Sequence, residues 1–438
     1  MKNGGCVLDI STLLRRVLVA DLPINPFASL ERMDRQDFVL LMSPEGQQLL
    51  GQVDYQSKTD VVKLVTTLRA QGHDPALVSA VLTQAKLRHR AVSKFGPFAQ
   101  RMLFTEPGLE QASRLVVSAL HAGRFRKAKV SQVADLGCGI GAESLSFVAA
   151  GIAVRAFEID ELTAAMATYN LLPFENASVE LADVTKLDLS QHESLFFDPA
   201  RRELTGAARA QAVRKFDPST FSPNFDWVVE QCTSPAIQAA GIKLGPGHPH
   251  EGIPDEAEAQ WVSVNGDLVE LGLWFGSAAR PGIKRAALLL ATGIDGEVTK
   301  HELTSESTAM TYAPLGELAD YVYEPDNAVV RSHLIHVLAE QTGTHSFSTE
   351  IAYLTGSEPL DNPWLKGYRV LENLAFDRKR LKARLKELDI GVLEIKKRGA
   401  DIVPEQLRKE LAPKGKNSAT LIVTRVGEAH RVLICQPI

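Results

Sequence analysis

The run Asp135-Leu136-Gly137-Cys138-Gly139-Ile140-Gly141 constrains the fold of this chain more than any other. The apolar stretch Val130 to Ala134 precedes it, and an amphipathic stretch ending near Ala150 follows. That order spells strand, glycine-rich turn and helix, with an acid at the end of the strand. Glycines in such a turn let a ligand approach the backbone, because no Cβ stands in the way. The turn also presents the free N–H groups of a helix N-terminus. The spacing is Gly-x-Gly-x-Gly, one residue short of the dinucleotide fingerprint Gly-x-Gly-x-x-Gly. This spacing argues against an NAD dehydrogenase. Asp135 would repel a pyrophosphate and suits a cationic ammonium group better.

The strands that follow supply more acids. Val154 to Phe157 reads as a second strand, ending in Glu158-Ile159-Asp160. Glu158 lies 17 residues past Gly141, where a doubly wound sheet places the acid that takes a ribose hydroxyl pair. Ser178 to Leu181 is a third strand, closed by Ala182-Asp183, and Ser194 to Phe197 is a fourth. The fourth ends in Asp198-Pro199-Ala200-Arg201-Arg202, and Asp226 to Glu230 reads as a fifth. Each acid alone is as readily a helix N-cap or a solvated loop residue as a ligand-binding one. As an ordered set beside a glycine loop, they mark the edge where open α/β sheets bind ligands.

At 438 residues the chain is expected to hold two or three domains. Its four cysteines are far apart and form no CxxC pair, so neither a zinc site nor a disulfide framework is indicated. Cys138 serves the turn as a small residue. His248-Pro249-His250-Glu251 reads as a proline-bounded turn, and no metal is expected. No apolar run reaches the roughly 18 residues that span a bilayer, and the run after Arg15-Arg16 is too short for a signal peptide. A soluble cytoplasmic protein is expected. Charge is unevenly spread. From Lys366 to Ile438 there are 17 basic and 9 acidic residues, a net of +8, while the remainder carries −13. A basic module on an acidic body favours contact with a polyanion over a merely solvated surface.

Residues 1–32 lack a periodic pattern and read as a loose extension. Ser43-Pro44 reads as an N-cap with proline in the first turn. Asp60 to Ala70 and Pro75 to Ala91 read as helices, the second with Leu77, Val81, Ala85 and Val92 on one face. Lys86 to Phe98 mixes bases with Phe95 and Phe98, and inward packing of the aromatics is the favoured reading. Thr105 is expected to cap the helix that leads into the glycine loop. Asn265-Gly266 joins two strand-like runs, a hairpin signal of the type I′ kind. Arg285 to Leu290 is another strand, and Ala328 to Thr342 a helical run. Tyr368 onward reads β-α-β-α-β-β, with a basic helix over Asp377 to Leu388 and a basic loop at Lys396-Lys397-Arg398.

The chain resembles the bacterial class I methyltransferases that use S-adenosylmethionine (SAM) and carry a C-terminal THUMP-like domain. The segments that carry the resemblance are Leu103 to Ala112, the glycine loop and Phe197 to Arg202, with Tyr323 to Arg331 and Leu393 to Gly399 in the C-terminal part. The resemblance implies an α/β fold: a doubly wound methyltransferase sheet, a helical N-terminal domain and a C-terminal α+β domain. The expected divisions are an extension at 1–32, the helical domain at 33–104, the SAM domain at 105–311 and the THUMP-like domain at 312–438. SAM is the implied cofactor. Its expected binding residues are Thr105, Asp135, Gly137, Cys138, Gly139, Gly141, Glu158, Asp183 and Asp198, with Asp183 on the adenine amine.

Enzymes that methylate exocyclic amines carry Asp/Asn-Pro-Pro-aromatic at the fourth strand end. Here Asp198-Pro199 is kept, Ala200 replaces the second proline and Arg201 the aromatic. The expected catalytic residues are Asp198, orienting the acceptor, Pro199, shaping the turn, and Arg201. Arg201 and Arg202 suit a phosphate, or equally an internal ion pair. The expected activity is methylation of a base nitrogen in a structured RNA. Lys379, Arg380, Lys382, Lys396, Lys397 and Arg398 are the expected RNA contacts. Two other readings stay open: a SAM- and RNA-binding module without turnover, and a methyltransferase acting on a small molecule or protein.

Overall fold

The computed structural model describes residues 33–56, 58–201, 220–293 and 297–438. The extension expected over 1–32 and the role of Arg202 lie outside the described residues. The chain divides into two compact units. The first comprises Met1–Leu244, Pro249–Ala257 and Leu273–Arg280; the second comprises Gly245–His248, Glu258–Gly272 and Pro281–Ile438.

The first unit opens with helices α1 (Arg35–Met42), α2 (Pro44–Gln52), α3 (Val61–Ala70) and α4 (Pro75–Phe95). Each starts where its sequence says it must. Asp34 and Asp37 form a reciprocal cap, Ser43 accepts from the Gly46 amide, and Asp60 and Asp74 cap the next two. Leu77 and Val81 of α4 are buried with Phe38, Leu41 and Leu49, and Ala85 is buried too. Val92 breaks the expected stripe and is exposed. The aromatics of this helix end divide: Phe95 is buried against Phe104, whereas Phe98 faces solvent.

Next come α5 (Glu106–Gln111), α6 (Leu115–Lys127), β1 (Gln132–Leu136), α7 (Ala142–Ala149), β2 (Ala153–Glu158), α8 (Glu161–Leu171), β3 (Ala177–Leu181) and β4 (Ser194–Phe197). Thr105 does cap α5, but α5 ends at Gln111 and a separate helix, α6, leads to β1. The run 226–230, expected as a fifth strand, is instead part of helix α9 (Phe225–Cys232). Asn224 caps it, and Phe225, Val228 and Cys232 are buried at helical spacing. The short apolar patch Trp227-Val228-Val229 imitates a strand, and the cap decides otherwise. The fifth strand is β5 (Ala239–Leu244).

Strands β3, β2, β1, β4 and β5 lie side by side in that order, all parallel. The chain therefore reverses its winding between β1 and β4, and the strand ends at that point form a crevice. Phe125, Phe147, Phe196 and Trp274 pack in the core of this unit. The C-terminal half of β7 (Asp267–Gly276) neighbours β5.

In the second unit, β6 (Glu258–Val264) and the first half of β7 are joined by Asn265-Gly266, both at positive φ as a type I′ turn requires. Strand β8 (Arg285–Thr292) runs parallel to β6, and β9 (Val298–Ser305) antiparallel to β8. The rest is β10 (Tyr321–Pro325), α10 (Asn327–Arg331), α11 (Ile335–Thr342), β11 (Leu354–Gly356), β12 (Leu365–Ala375), α12 (Arg378–Glu387), β13 (Ile390–Lys397), α13 (Pro404–Leu411), β14 (Asn417–Val426) and β15 (Ala429–Pro437). The single helical run expected over 328–342 is two helices, broken where His333 takes a positive φ. From β12 onward the order is β-α-β-α-β-β, as read from sequence, in a six-stranded sheet β11-β10-β12-β15-β14-β13. Leu381 and Leu385 of α12 and Leu407 and Leu411 of α13 bury against Leu421 and Ile434. No described helix is long and apolar enough to cross a membrane.

Candidate active site

The site forms where β1 hands over to α7. Gly137, Gly139 and Gly141 all have positive φ, at 87°, 55° and 83°. At Gly141 the constraint is twofold, since an added Cβ would also press on Leu171 at 3.3 Å. The Gly137 and Cys138 amides donate to the Phe157 carbonyl at 2.9 and 3.0 Å, which pins the turn to β2. Cys138 is buried, and its thiol is pushed well above its usual range by that burial. Burial and that shift argue against a reactive thiol.

Glu158 is fixed from both sides. Its Oε2 accepts from the Gly139 amide at 3.0 Å, and its Oε1 from the Ile159 and Asp160 amides at 2.9 and 3.0 Å. Its carboxylate thus binds the glycine loop directly. Asp183 is engaged locally: Oδ1 accepts from the Thr185 amide and hydroxyl, and Oδ2 pairs with Lys186 at 3.0 Å. Its hydrogen bonds from Thr185, then Lys186, hold its carboxyl below the usual range. It serves as the cap of a short turn, and Oδ2, with one donor, retains a lone pair.

Thr105 approaches the loop through α5. A Cβ on Gly108 would meet both Thr105 Oγ1 and Ile140 Cγ2 at 2.7 Å. Asn170 locks this arrangement, because its amide donates to the carbonyls of Leu103 and Ile140 at 3.0 and 2.9 Å. Its Oδ1 accepts from the Leu103 amide at 2.7 Å. Sequence reading missed Asn170, which carries no motif.

Asp135 is the most constrained acid. It is 1% exposed, and its Oδ2 accepts from Ser144 Oγ at 2.5 Å. Its Oδ1 is buried and has no hydrogen-bond partner among the described residues. Burial pushes the carboxyl up to about 7, against the pull of Ser144 and with Glu143 and Asp198 adding repulsion. An orphaned buried carboxylate oxygen awaits a donor, and a cation is the best one. Nearby Glu143 differs: burial pushes it up, but His121 at 2.9 Å outweighs this and holds it low.

Asp198, at the end of β4, pairs with Lys243 of β5 at 2.5 Å, and Lys243 also donates to the Gln111 carbonyl at 3.2 Å. The Asp198 carbonyl lies 3.7 Å from where a Cβ on Gly137 would stand. Asp198 and the glycine loop therefore share one crevice. Pro199 follows directly, and Ala200–Arg201 pairs antiparallel with Phe221–Ser222. The roles expected of the Arg201 and Arg202 side chains fall outside the described residues. Lys243 was not foreseen, although a lysine inside the otherwise apolar run Ala239–Leu244 is itself a signal. Lys94 was also missed. It donates to the carbonyls of Leu109, Glu110 and Ala112, ending α5, and burial beside Lys243 and Arg114 pulls its pKa down to about 8.

The geometry agrees with what related proteins are. An S-adenosylmethionine-dependent methyltransferase of Mycobacterium tuberculosis, described as uncharacterized, is 30% identical over 376 residues, covering 83% of this chain and 97% of its own. This chain belongs to the SAM-dependent methyltransferases. A crystal structure of a candidate methyltransferase from Porphyromonas gingivalis W83 shares the fold, with a TM-score of 0.64 at 19% identity, over 87% of this chain and 99% of that one. A THUMP domain-like family matches residues 365–437 of the methyltransferase, and a domain of unknown function matches 34–91. The cofactor is therefore SAM, and the orphaned Asp135 oxygen beside the glycine turn fits its cationic ammonium.

The basic residues expected to touch RNA divide into two groups. Lys396 pairs with Glu324 at 2.7 Å, Lys397 donates to the Ile402 carbonyl, and Arg398 donates to the Ala352 carbonyl and stacks over Tyr353. These three are committed to their own domain. Lys382 reaches the Glu410 carbonyl, while the Lys379 and Arg380 side chains have no partner among the described residues.

Proposed function

We propose that this enzyme methylates a base nitrogen of a structured RNA in the cytoplasm. One observation carries the reading: an Asp-Pro strand end abuts the glycine turn, with its carboxylate 2.5 Å from Lys243. In this reading Asp135 and Glu158 hold the cofactor, whose bound sulfonium supplies the methyl group. Asp198 accepts a hydrogen bond from the target nitrogen and aims its lone pair. Lys243 holds that carboxylate in place, and Pro199 fixes the turn behind it.

The THUMP domain-like match and the net charge of +8 over 366–438 support RNA as the acceptor. Lys379, Arg380 and Lys382 of α12 are the phosphate contacts. Replacing all three by alanine weakens RNA binding and lowers the slope of log affinity against log salt by about two. SAM affinity stays unchanged. Filter binding across a salt series reads the slope. An unaltered slope would move the RNA contact elsewhere.

The acceptor is tested by transfer of labelled methyl from SAM to total RNA from a strain lacking this gene. Label in RNA supports the reading. Label found only in protein or small molecules would replace it.

A further inference from the structure

The helical N-terminal domain contains a cavity of about 510 Å³, within the range of small-molecule sites. Its walls come from the end of α2, the loop after it, α4 and Gln100. Arg88 lines it and is 7% exposed. The guanidinium donates from Nε to the Met102 carbonyl at 2.9 Å and interacts with the Tyr169 hydroxyl. It forms no ion pair with a carboxylate among the described residues. A buried cation without a counter-ion is rare, because desolvation costs more than neutral partners return.

The other walls suit a ring and a phosphate. Tyr55 and His89 offer ring faces, with centroids 5.8 Å apart and planes tilted by 59°. Val92, 44% exposed, adds an apolar surface. Ser93 and Gln100 contribute neutral hydrogen-bonding groups. Asp54 also lines the cavity, but it is exposed and accepts from Gln56 at 2.8 Å, so it belongs to the rim.

We propose that this cavity binds one nucleoside monophosphate unit, its phosphate on Arg88 and its base against Tyr55 and Val92. The unit comes from the RNA substrate or from a free nucleotide. Only the first source rests on the RNA reading above. That source has structural support: Met102 holds Arg88, and the adjacent Leu103 is clamped by Asn170, which also holds the glycine loop. The cavity also falls largely within the part matched by a domain of unknown function.

The test uses the full chain saturated with S-adenosylhomocysteine, which keeps nucleotides out of the cofactor site. Calorimetry follows titration with CMP and, separately, with a short oligoribonucleotide. Arg88→Gln weakens binding about tenfold or more, the loss expected for a charge-assisted hydrogen bond. Ser93→Glu, at an exposed position, does the same by placing a carboxylate at the mouth, and it carries the test if Arg88→Gln melts early. Binding of both ligands supports the cavity as a nucleotide site, and binding of the oligonucleotide alone makes RNA the source. Absence of binding to wild type, or binding indifferent to Ser93→Glu, overturns the proposal. RNA methylation measured on the same proteins separates the two readings, since transfer can persist while this site fails.

Discussion

Asp198→Ala lowers methyl transfer by about 100-fold or more while SAM still binds. The size follows from the role: the carboxylate orients the acceptor, and loss of orientation in a group transfer typically costs that much. Asp135 and Glu158, the expected holders of the cofactor, are untouched by the change. One confounding effect must be removed. Asp198 lies 2.5 Å from Lys243, which is only 12% exposed at its side chain, and losing a carboxylate partner destabilises a buried lysine. Asp198→Asn is therefore made alongside, because its amide oxygen still accepts from Lys243. Turnover falls about 100-fold in the alanine variant and much less in the asparagine variant, whose amide oxygen still accepts from the target nitrogen; only the alanine variant also melts lower. Single-turnover transfer and thermal melts on the same preparations read the two effects. Wild-type rates in Asp198→Ala would remove the side chain from the chemistry and leave it a structural partner of Lys243.

The parallel core was legible because its signals are local. A strand, three glycines and a helix follow one another within 132–149, and acids close the strands at 135, 158, 183 and 198. The Asn265-Gly266 hairpin and the β-α-β-α-β-β order were readable for the same reason. What escaped was set by distant partners. The 226–230 run is the exception, since its cap at Asn224 is a local signal that the strand-like patch Trp227-Val228-Val229 masks. Lys243 stands out within the apolar run Ala239–Leu244, but its partner Asp198 is apparent only once β5 lies beside β4. Asn170 joins residues 67 and 30 positions away. Charge counting likewise found a basic domain but could not see that Glu324 and two backbone carbonyls consume Lys396, Lys397 and Arg398.

Asp135→Asn separates ligand binding from stability, because one buried carboxyl serves both. In the free enzyme its pKa is raised to about 7 from 3.8. The folded state therefore holds a proton that the unfolded chain releases, and stability falls as pH rises from about 4 to about 7. A cation at the empty Oδ1 favours the ionised form, so SAM binding below about pH 7 expels a proton and affinity climbs with pH. Asparagine keeps an acceptor for Ser144 and abolishes the titration. The variant is then more stable than wild type above pH 7, on the order of 4 kcal/mol. It binds SAM roughly 10-fold to 100-fold more weakly there, having lost a charge-assisted contact. Its affinity no longer changes between about pH 5 and 7. Calorimetry in two buffers of different ionisation enthalpy detects the expelled proton directly. Equal proton release in wild type and variant would place the titrating group elsewhere and leave Asp135 a structural acceptor for Ser144.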